Sequence, residues 1–206
     1  MGRSSNKGMS SDSETKVPDE TVIPNGDRIL IVSKGQLRIQ VSPELLIQAS
    51  PVFDAMLNLK FLECNKLHEG NEFPVEIKLP EDEGMATTQA LRTLYGSDPS
   101  MLLLDPDEIQ KVAIFVDKYD ISPRFSMAAT SWMNCEPSNL DQAWKLMTAS
   151  YWFNLEDSFQ TMSEHVVVKM NHAQIFRLAH QTHDVGLGLK LGSEFLPIYI
   201  SHLVEI

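Results

Sequence analysis

Cysteine, basic charge and long apolar runs are all scarce in this chain, and each shortage removes a class of protein. The two cysteines, Cys64 and Cys135, form no C-x-x-C and no Cys/His pairing at zinc spacing. Reduced thiols of the cytosol or nucleus fit this usage better than a secreted disulfide scaffold. Lys and Arg number 17 against 28 Asp and Glu, a formal charge of −11. A nucleic-acid surface needs clustered cations, and none are seen. No apolar run approaches the roughly 18 residues that would span a bilayer. The opening MGRSSNKGMS lacks the apolar segment of a signal peptide and has Asn6 where a myristoylation site wants Ser or Thr. G-x-S-x-G, P-loop and H-E-x-x-H patterns are missing. Gly186-x-Gly188-x-x-x-Gly192 has the wrong spacing for a dinucleotide fingerprint and no strand before it, so it reads as a flexible turn.

What the chain does have is a soluble globular composition, 43% hydrophobic and 22% charged. Its length suits one substantial domain, or a smaller domain with an appendage. Residues 1–21 are rich in Ser, Lys, Asp and Glu, with Val17 as their only branched aliphatic side chain, and read as a disordered tail. The stretch from Gly26 to Glu63 organises the rest of the chain. Strands are predicted over 28–33 and 36–42, the second with Leu37, Ile39 and Val41 on one face and Arg38 and Gln40 on the other. Ser33-Lys34-Gly35 makes the turn, Gly35 supplying a positive φ. Ser42-Pro43 and Ser50-Pro51 then start two short helices. Leu45, Ala49, Phe53 and Met56 make a core stripe across the break between them.

Beyond a polar loop over 64–74, Val75, Ile77 and Leu79 alternate with Glu76 and Lys78 as a third strand ended by Pro80. A helix over 84–95 closes at Gly96. Asp105-Pro106-Asp107-Glu108 is the clearest helix start, a capping box, and Ile109, Val112, Ala113, Val116 and Tyr119 form the apolar face behind it. Ser122-Pro123 restarts a helix with Phe125, Ala129, Trp132 and Met133 on one side. Past Pro137 two amphipathic helices are predicted, with Leu140, Ala143, Trp144, Met147 and Tyr151 on one face and Leu155, Phe159, Met162 and Val166 on the other, joined near Asn154. Residues 171–184 are a candidate helix. The conformation of 186–206 stays open, because it is apolar but holds the three glycines above and Pro197.

This order of parts resembles the BTB/POZ family and is similar to the short BTB proteins common in fungi. Asp27 before the hairpin and VSPELLIQASPVFDAMLNLKFLE look like the family's opening, where a helical pair ends in S-x-x-F-x-x-M, placed here on Phe53 and Met56. ALRTLYGSDP looks like its third helix with a Tyr-Gly end at Tyr95, and VAIFVDKYDISPRF looks like its A-x-K-Y segment, with Tyr119 as the tyrosine. The likeness covers roughly residues 25–135. It implies an α+β fold of BTB/POZ type, a small β-sheet flanked by helices over 22–136, with an all-helical C-terminal extension over 137–206. No amphipathic helix precedes the first strand, which puts dimerisation by an exchanged N-terminal element in doubt. No kelch, MATH, ankyrin or zinc-finger partner domain is seen.

The family implies protein binding rather than catalysis, with no cofactor and no metal. In BTB domains that recruit a cullin, a hydrophobic-x-acid triplet lies just after the second helix, and Phe61-Leu62-Glu63 stands in that place. The expected role is adaptor for a cullin-RING ubiquitin ligase, with a cullin and a degradation target as partners. The alternative is an oligomerisation scaffold with no ligase role, for example in transcriptional complexes, in which a homodimer is one state. Phe61 packed on its own domain and Glu63 solvated is the bland reading of the triplet. A weaker alternative is a metal-dependent enzyme using His172, His180 and His183, which a helix would bring within about a quarter turn beside Asp184. Phe176 and Ala179 share that face, and structural or surface histidines are the simpler reading. Cys64 and His68 sit in a polar loop without an orienting acid. The aromatics Trp132, Trp144, Tyr151, Trp152 and Phe153 read as core rather than a peptide groove, with one of the flanking pair Trp152 and Phe153 exposed. Glu81-Asp82-Glu83 reads as a solvated loop.

Overall fold

A computed structural model describes residues 18–57, 75–169 and 172–204, with the backbone alone for 172 and 196–204. The chain runs β1 (Glu20–Thr21), β2 (Arg28–Val32), β3 (Leu37–Val41), α1 (Pro43–Ala49), α2 (51–57), β4 (Val75–Leu79), α3 (Gly84–Tyr95), α4 (Pro106–Lys118), α5 (Ser122–Trp132), α6 (Leu140–Trp152), α7 (Glu156–Lys169), α8 (His172–Gln181) and α9 (Val185–Val204). The architecture is α+β, a small mixed sheet with helices and then an all-helical region.

Four strands lie in the order β1-β3-β2-β4. β2 and β3 are the antiparallel hairpin, with Leu30 opposite Ile39, while β4 runs parallel to β2 with Ile77 beside Leu30. All of β2 is buried, as a strand flanked on both edges should be. The hairpin turn is left-handed at three successive residues, Ser33 (φ 50), Lys34 (φ 57) and Gly35 (φ 88), of which the sequence announces the last.

The first strand corrects the expectation of a featureless tail over 1–21. Glu20 and Thr21 pair in parallel with Ile39 and Gln40, Asp19 N–H donates to Arg38 O at 2.9 Å, and Val22 enters the core. Residues 1–17 lie outside the described residues. A two-residue strand carries no alternation to read, and only the free edge of β3 gives it a place.

Ser42, the expected cap of α1, has another partner. Its hydroxyl turns to the Glu44 carboxylate, and α1 starts on Pro43 with no side-chain cap. Ser50 does cap α2, accepting from Phe53 N–H at 2.9 Å. The stripe across the two helices also differs, with Leu46, Phe53 and Leu57 fully inside and Leu45, Ala49 and Met56 half-buried. Ser50 is extended (φ −136, ψ 119), so the helical phase restarts there and one 3.6-residue period cannot run through both pieces.

Helix α4 is the axis of the molecule. Asp105 Oδ1 accepts from Asp107 and Glu108 N–H while Glu108 returns the bond to Asp105 N–H at 2.9 Å, the reciprocal box its sequence announces. Its buried face, Ile109, Val112, Ala113 and Val116 with Phe115, packs on α3 and α5 to one side and on α6 to the other. The same buried cluster continues from Val22 to Phe195, so the helices past Pro137 complete the core begun by the sheet.

Helix α6 lies between α4 and α7, and this alters its expected face. Trp152 and Phe153 are both buried and Tyr151 is the exposed one, at 46%. A helix covered on two sides buries most of its girth, and of α6 only Asp141 in its first turn and Tyr151 in its last are exposed. The turn at Asn154 (φ 58) stands at the expected joint. The open segment past 185 is helical. A Cβ on Gly188 would stand 2.2 Å from Ala179 O, so the glycine lets α9 lie close along α8.

Candidate functional site

Two of the residues that carry the family likeness, Phe53 and Tyr119, meet between α2, the β4–α3 turn and the end of α4. Phe53 is fully buried and stacks on Tyr119 with ring centroids 4.2 Å apart and an interplanar angle of 10°, while Phe115 tilts against both rings. Ser50 Oγ, besides capping α2, donates to Tyr119 O at 2.5 Å. Tyr119 Oη donates to Asp82 Oδ2 at 2.6 Å, and Lys118 Nζ reaches Asp82 Oδ1 at 2.6 Å. Asp82 O in turn accepts from Ser33 N–H at 3.0 Å, in the hairpin turn. Four segments distant in sequence are joined through the side chains and backbone carbonyls of two residues, Asp82 and Tyr119.

Asp82 corrects the reading of Glu81-Asp82-Glu83 as a solvated loop. Its side chain is 6% exposed. A carboxylate so placed has to be paired, and a charge-assisted bond from the phenol plus the lysine satisfies both oxygens. Burial first, and then the bond to Asp82 and its negative charge, hold the Tyr119 hydroxyl far above the ordinary phenol range, so it stays a donor. Nothing local to residues 80–84 signals this, because the partners lie 36 and 37 positions away. Glu83 has a different task, accepting from Ala86 N–H at the start of α3.

The other expected residues are scattered around this contact. Asp27 Oδ2 pairs with Arg28 at 2.6 Å, and its carbonyl accepts from Val75 N–H, joining β2 to β4 at their first residues. Met56 is half-buried against the core. Tyr95, one residue before the left-handed Gly96 (φ 62), donates to Ser42 O and so pins the end of α3 to the start of α1. Burial and then the nearby Glu44 charge raise its phenol above the usual range. Phe61, Leu62 and Glu63, together with Cys64 and His68, lie outside the described residues, and Cys135 is a half-buried free thiol.

Among the described residues no group of three His, Cys, Asp or Glu side chains converges. His180 is an exposed residue in the last turn of α8 and His183 lies beyond that helix in the turn to α9, while the His172 side chain is outside the described set. His183 therefore does not share the helical register of His180, because α8 ends at Gln181. Trp132 and Trp144 are buried, with their indole N–H groups bonded to Met101 O at 3.0 Å and Thr182 Oγ1 at 2.9 Å, which places them in the core rather than in a groove.

Beside the Asp82 contact opens a cleft of about 420 Å³, floored by Ala86, Thr87, Ile114 and Phe115 and rimmed by acids of the β4–α3 turn, by Lys111 and Lys118 and by His183. Its lysines are already engaged, Lys118 by Asp82 and Lys111 by Asp107 at 2.8 Å, so neither stands free to meet an anion. Thr87 and His183 both line the cleft, and the Thr87 hydroxyl is already given to Glu83 O at 2.8 Å. No helix among the described residues is long and apolar enough to cross a membrane. No protein-family model matches this chain, and a search of curated proteins finds no significant match.

Proposed function

We propose that this chain is a BTB/POZ-type protein–protein interaction module, working in the cytoplasm or nucleus, and that it serves as an adaptor for a cullin-RING ubiquitin ligase. The reading rests on one observation above the rest. Ser50 and Phe53 of the S-x-x-F segment close on Tyr119 of the K-Y segment, although Phe53 and Tyr119 lie 66 positions apart in the chain. Motifs drawn together by chance would have no reason to meet in the core, whereas a hairpin, two proline-started helices and a buried Tyr-bearing helix form one scaffold. Its work in this reading is binding, as the family likeness implies. Within it Phe61 is the apolar anchor and Glu63 the flanking charge of the cullin contact, with Leu62 between them.

The test is capture of purified chain on an immobilised cullin N-terminal region, native against Phe61→Ala with Glu63→Lys. Native chain is retained and the double variant is lost, with unchanged circular dichroism. Equal capture of both, or of neither, removes the ligase role and leaves the oligomerisation scaffold, whose mark is a multiple of 23.2 kDa by light scattering.

A further inference from the structure

Helices α3 and α4 pack along one another and leave a groove between them. Its narrower end, about 180 Å³, is lined by Met85, Gln89, Glu108 and Val112. The wider cleft beside Asp82 continues it, because Glu83, Ala86 and Lys111 line both. From Glu108 to Lys118 the groove follows α4 for roughly 15 Å at the helical rise. That is the span of about four or five residues of extended chain. The floor is apolar, with Ala86 and Val112 at one end and Ile114 and Phe115 at the other. Met85 stands on the lip, 61% exposed, a flexible thioether that adapts to varied side chains.

The walls are acidic. Glu81 and Glu83 are exposed on the α3 side and Glu108 is half-buried on the α4 side. Glu83 Oε2 accepts from Ala86 N–H at 2.6 Å and Glu108 Oε2 from Asp105 N–H at 2.9 Å, which leaves each Oε1 without a protein donor among the described residues. The two lysines of the groove are bonded to Asp107 and Asp82. Gln89 Oε1 is buried at the narrow end and likewise has no hydrogen-bond partner among the described residues. An acceptor left so costs stability, and a donor brought by a ligand relieves that cost once the amide turns about its soft terminal torsion.

We propose that the α3–α4 groove docks a short extended segment of a partner protein that alternates apolar and basic residues, its Lys or Arg donating to Glu83, Glu108 and Gln89 Oε1. The apolar side chains of the segment lie on the Ala86, Val112 and Phe115 floor. Charge complementarity selects this occupant. An ammonium brings three donors and a guanidinium five, to walls that offer acceptors, whereas an acidic segment would find both lysines taken. The surface extends the interaction-module reading to residues other than Phe61, Leu62 and Glu63, so failure of the cullin contact and failure of the groove are separate results.

A solid-phase library of capped hexapeptides, probed with the labelled full chain, tests this. Retained sequences are expected to carry Lys or Arg between apolar residues. The best of them, titrated by fluorescence anisotropy, loses roughly tenfold in affinity for the Glu83→Gln, Glu108→Gln double variant, whose glutamines still accept both backbone bonds. Glu194→Gln, which removes an exposed acid of α9, changes it by less than about twofold. Gln89→Met leaves the charge alone, weakens binding by roughly threefold or more, and leaves the melting temperature equal or higher because the orphaned acceptor is gone. The proposal fails if the retained peptides are not basic, if Glu194→Gln costs as much as the double variant, which would mean attraction to the whole acidic chain, or if Gln89→Met leaves affinity unchanged. It fails too if spermidine alone binds as tightly as the peptide, which would make the groove a polyamine site.

Discussion

The sheet region through α5 and the helical region from α6 onward are held by different kinds of contact. In the first, buried polar groups bond across long stretches of sequence, with Asp82 reaching Lys118 and Tyr119, Ser50 reaching Tyr119 O and Ser33 reaching Asp82 O. In the second, most buried hydroxyls turn back on their own helix. Thr148 donates to Trp144 O, Ser150 to Met147 O and Thr182 to Leu178 O. A bond within one helix is satisfied wherever that helix lies and says nothing about its neighbours. The first region is therefore registered by polar pairs that fail if any element slips, and the second mainly by apolar volume, with Trp144 Nε1 to Thr182 Oγ1 as its buried polar link between distant segments. Between them stands α4, tied to α6 by Asp107–Lys145 at 2.6 Å and Gln110–Thr148 at 2.7 Å.

The sharpest way to break this comparison is Phe53→Ala, which empties a fully buried site stacked on Tyr119. It costs about 3–5 kcal/mol, and because α4 belongs to both regions the loss appears in a single denaturant transition. Two transitions, with the helical region surviving the first, would show instead that the regions are separable. Next in size is the contrast of Asp82→Asn with Thr148→Val. The first removes a buried charge bonded to two distant partners and costs about 2 kcal/mol, whereas the second removes a bond its helix keeps to itself and one to Gln110, and costs under about 1 kcal/mol. Equal losses in urea melts would undo the distinction between long-range and local polar pairing.

The smallest effect sits at the seam. Hydrogen bonds first from Lys111 and then from Lys145 hold the Asp107 carboxyl below its usual range. A folded value below the unfolded one means the contribution is present above the unfolded pKa, about 3.9, and fades as pH falls through the lower folded value. With the side chain 44% exposed, Asp107→Asn costs only about 0.5 kcal/mol at pH 7, and native and variant melts converge toward pH 2. A difference that persists in acid would mean the seam is held by something other than this charge.

Features written within four or five residues are legible in the sequence. The Asp105 box, the Gly96 stop, the left-handed Gly35 and the α4 face all stand at their expected positions, because each depends on one turn of backbone and its own side chains. Expectation and structure part wherever a neighbour chooses between faces. Tyr151 is wet and Trp152 dry because α6 is covered twice, and Leu46 displaces Leu45 because Ser50 resets the helical phase. Of the site, Phe53 and Tyr119 can be picked out singly. Their stacking, and the part Asp82 plays beneath them, cannot.

Sequence by itself determined which segments are helix or strand, where most of them begin and stop, and that the chain carries a large excess of acid. Tertiary structure decided which of those acids is buried, that Glu20 and Thr21 become a strand, and that a glycine-rich tail folds as helix α9. The reason is one of range. Propensity and capping act over a single helical turn, whereas the burial of a carboxylate, the pairing of an edge strand and the close approach of two helices exist only once residues far apart in the chain supply the other half of the contact.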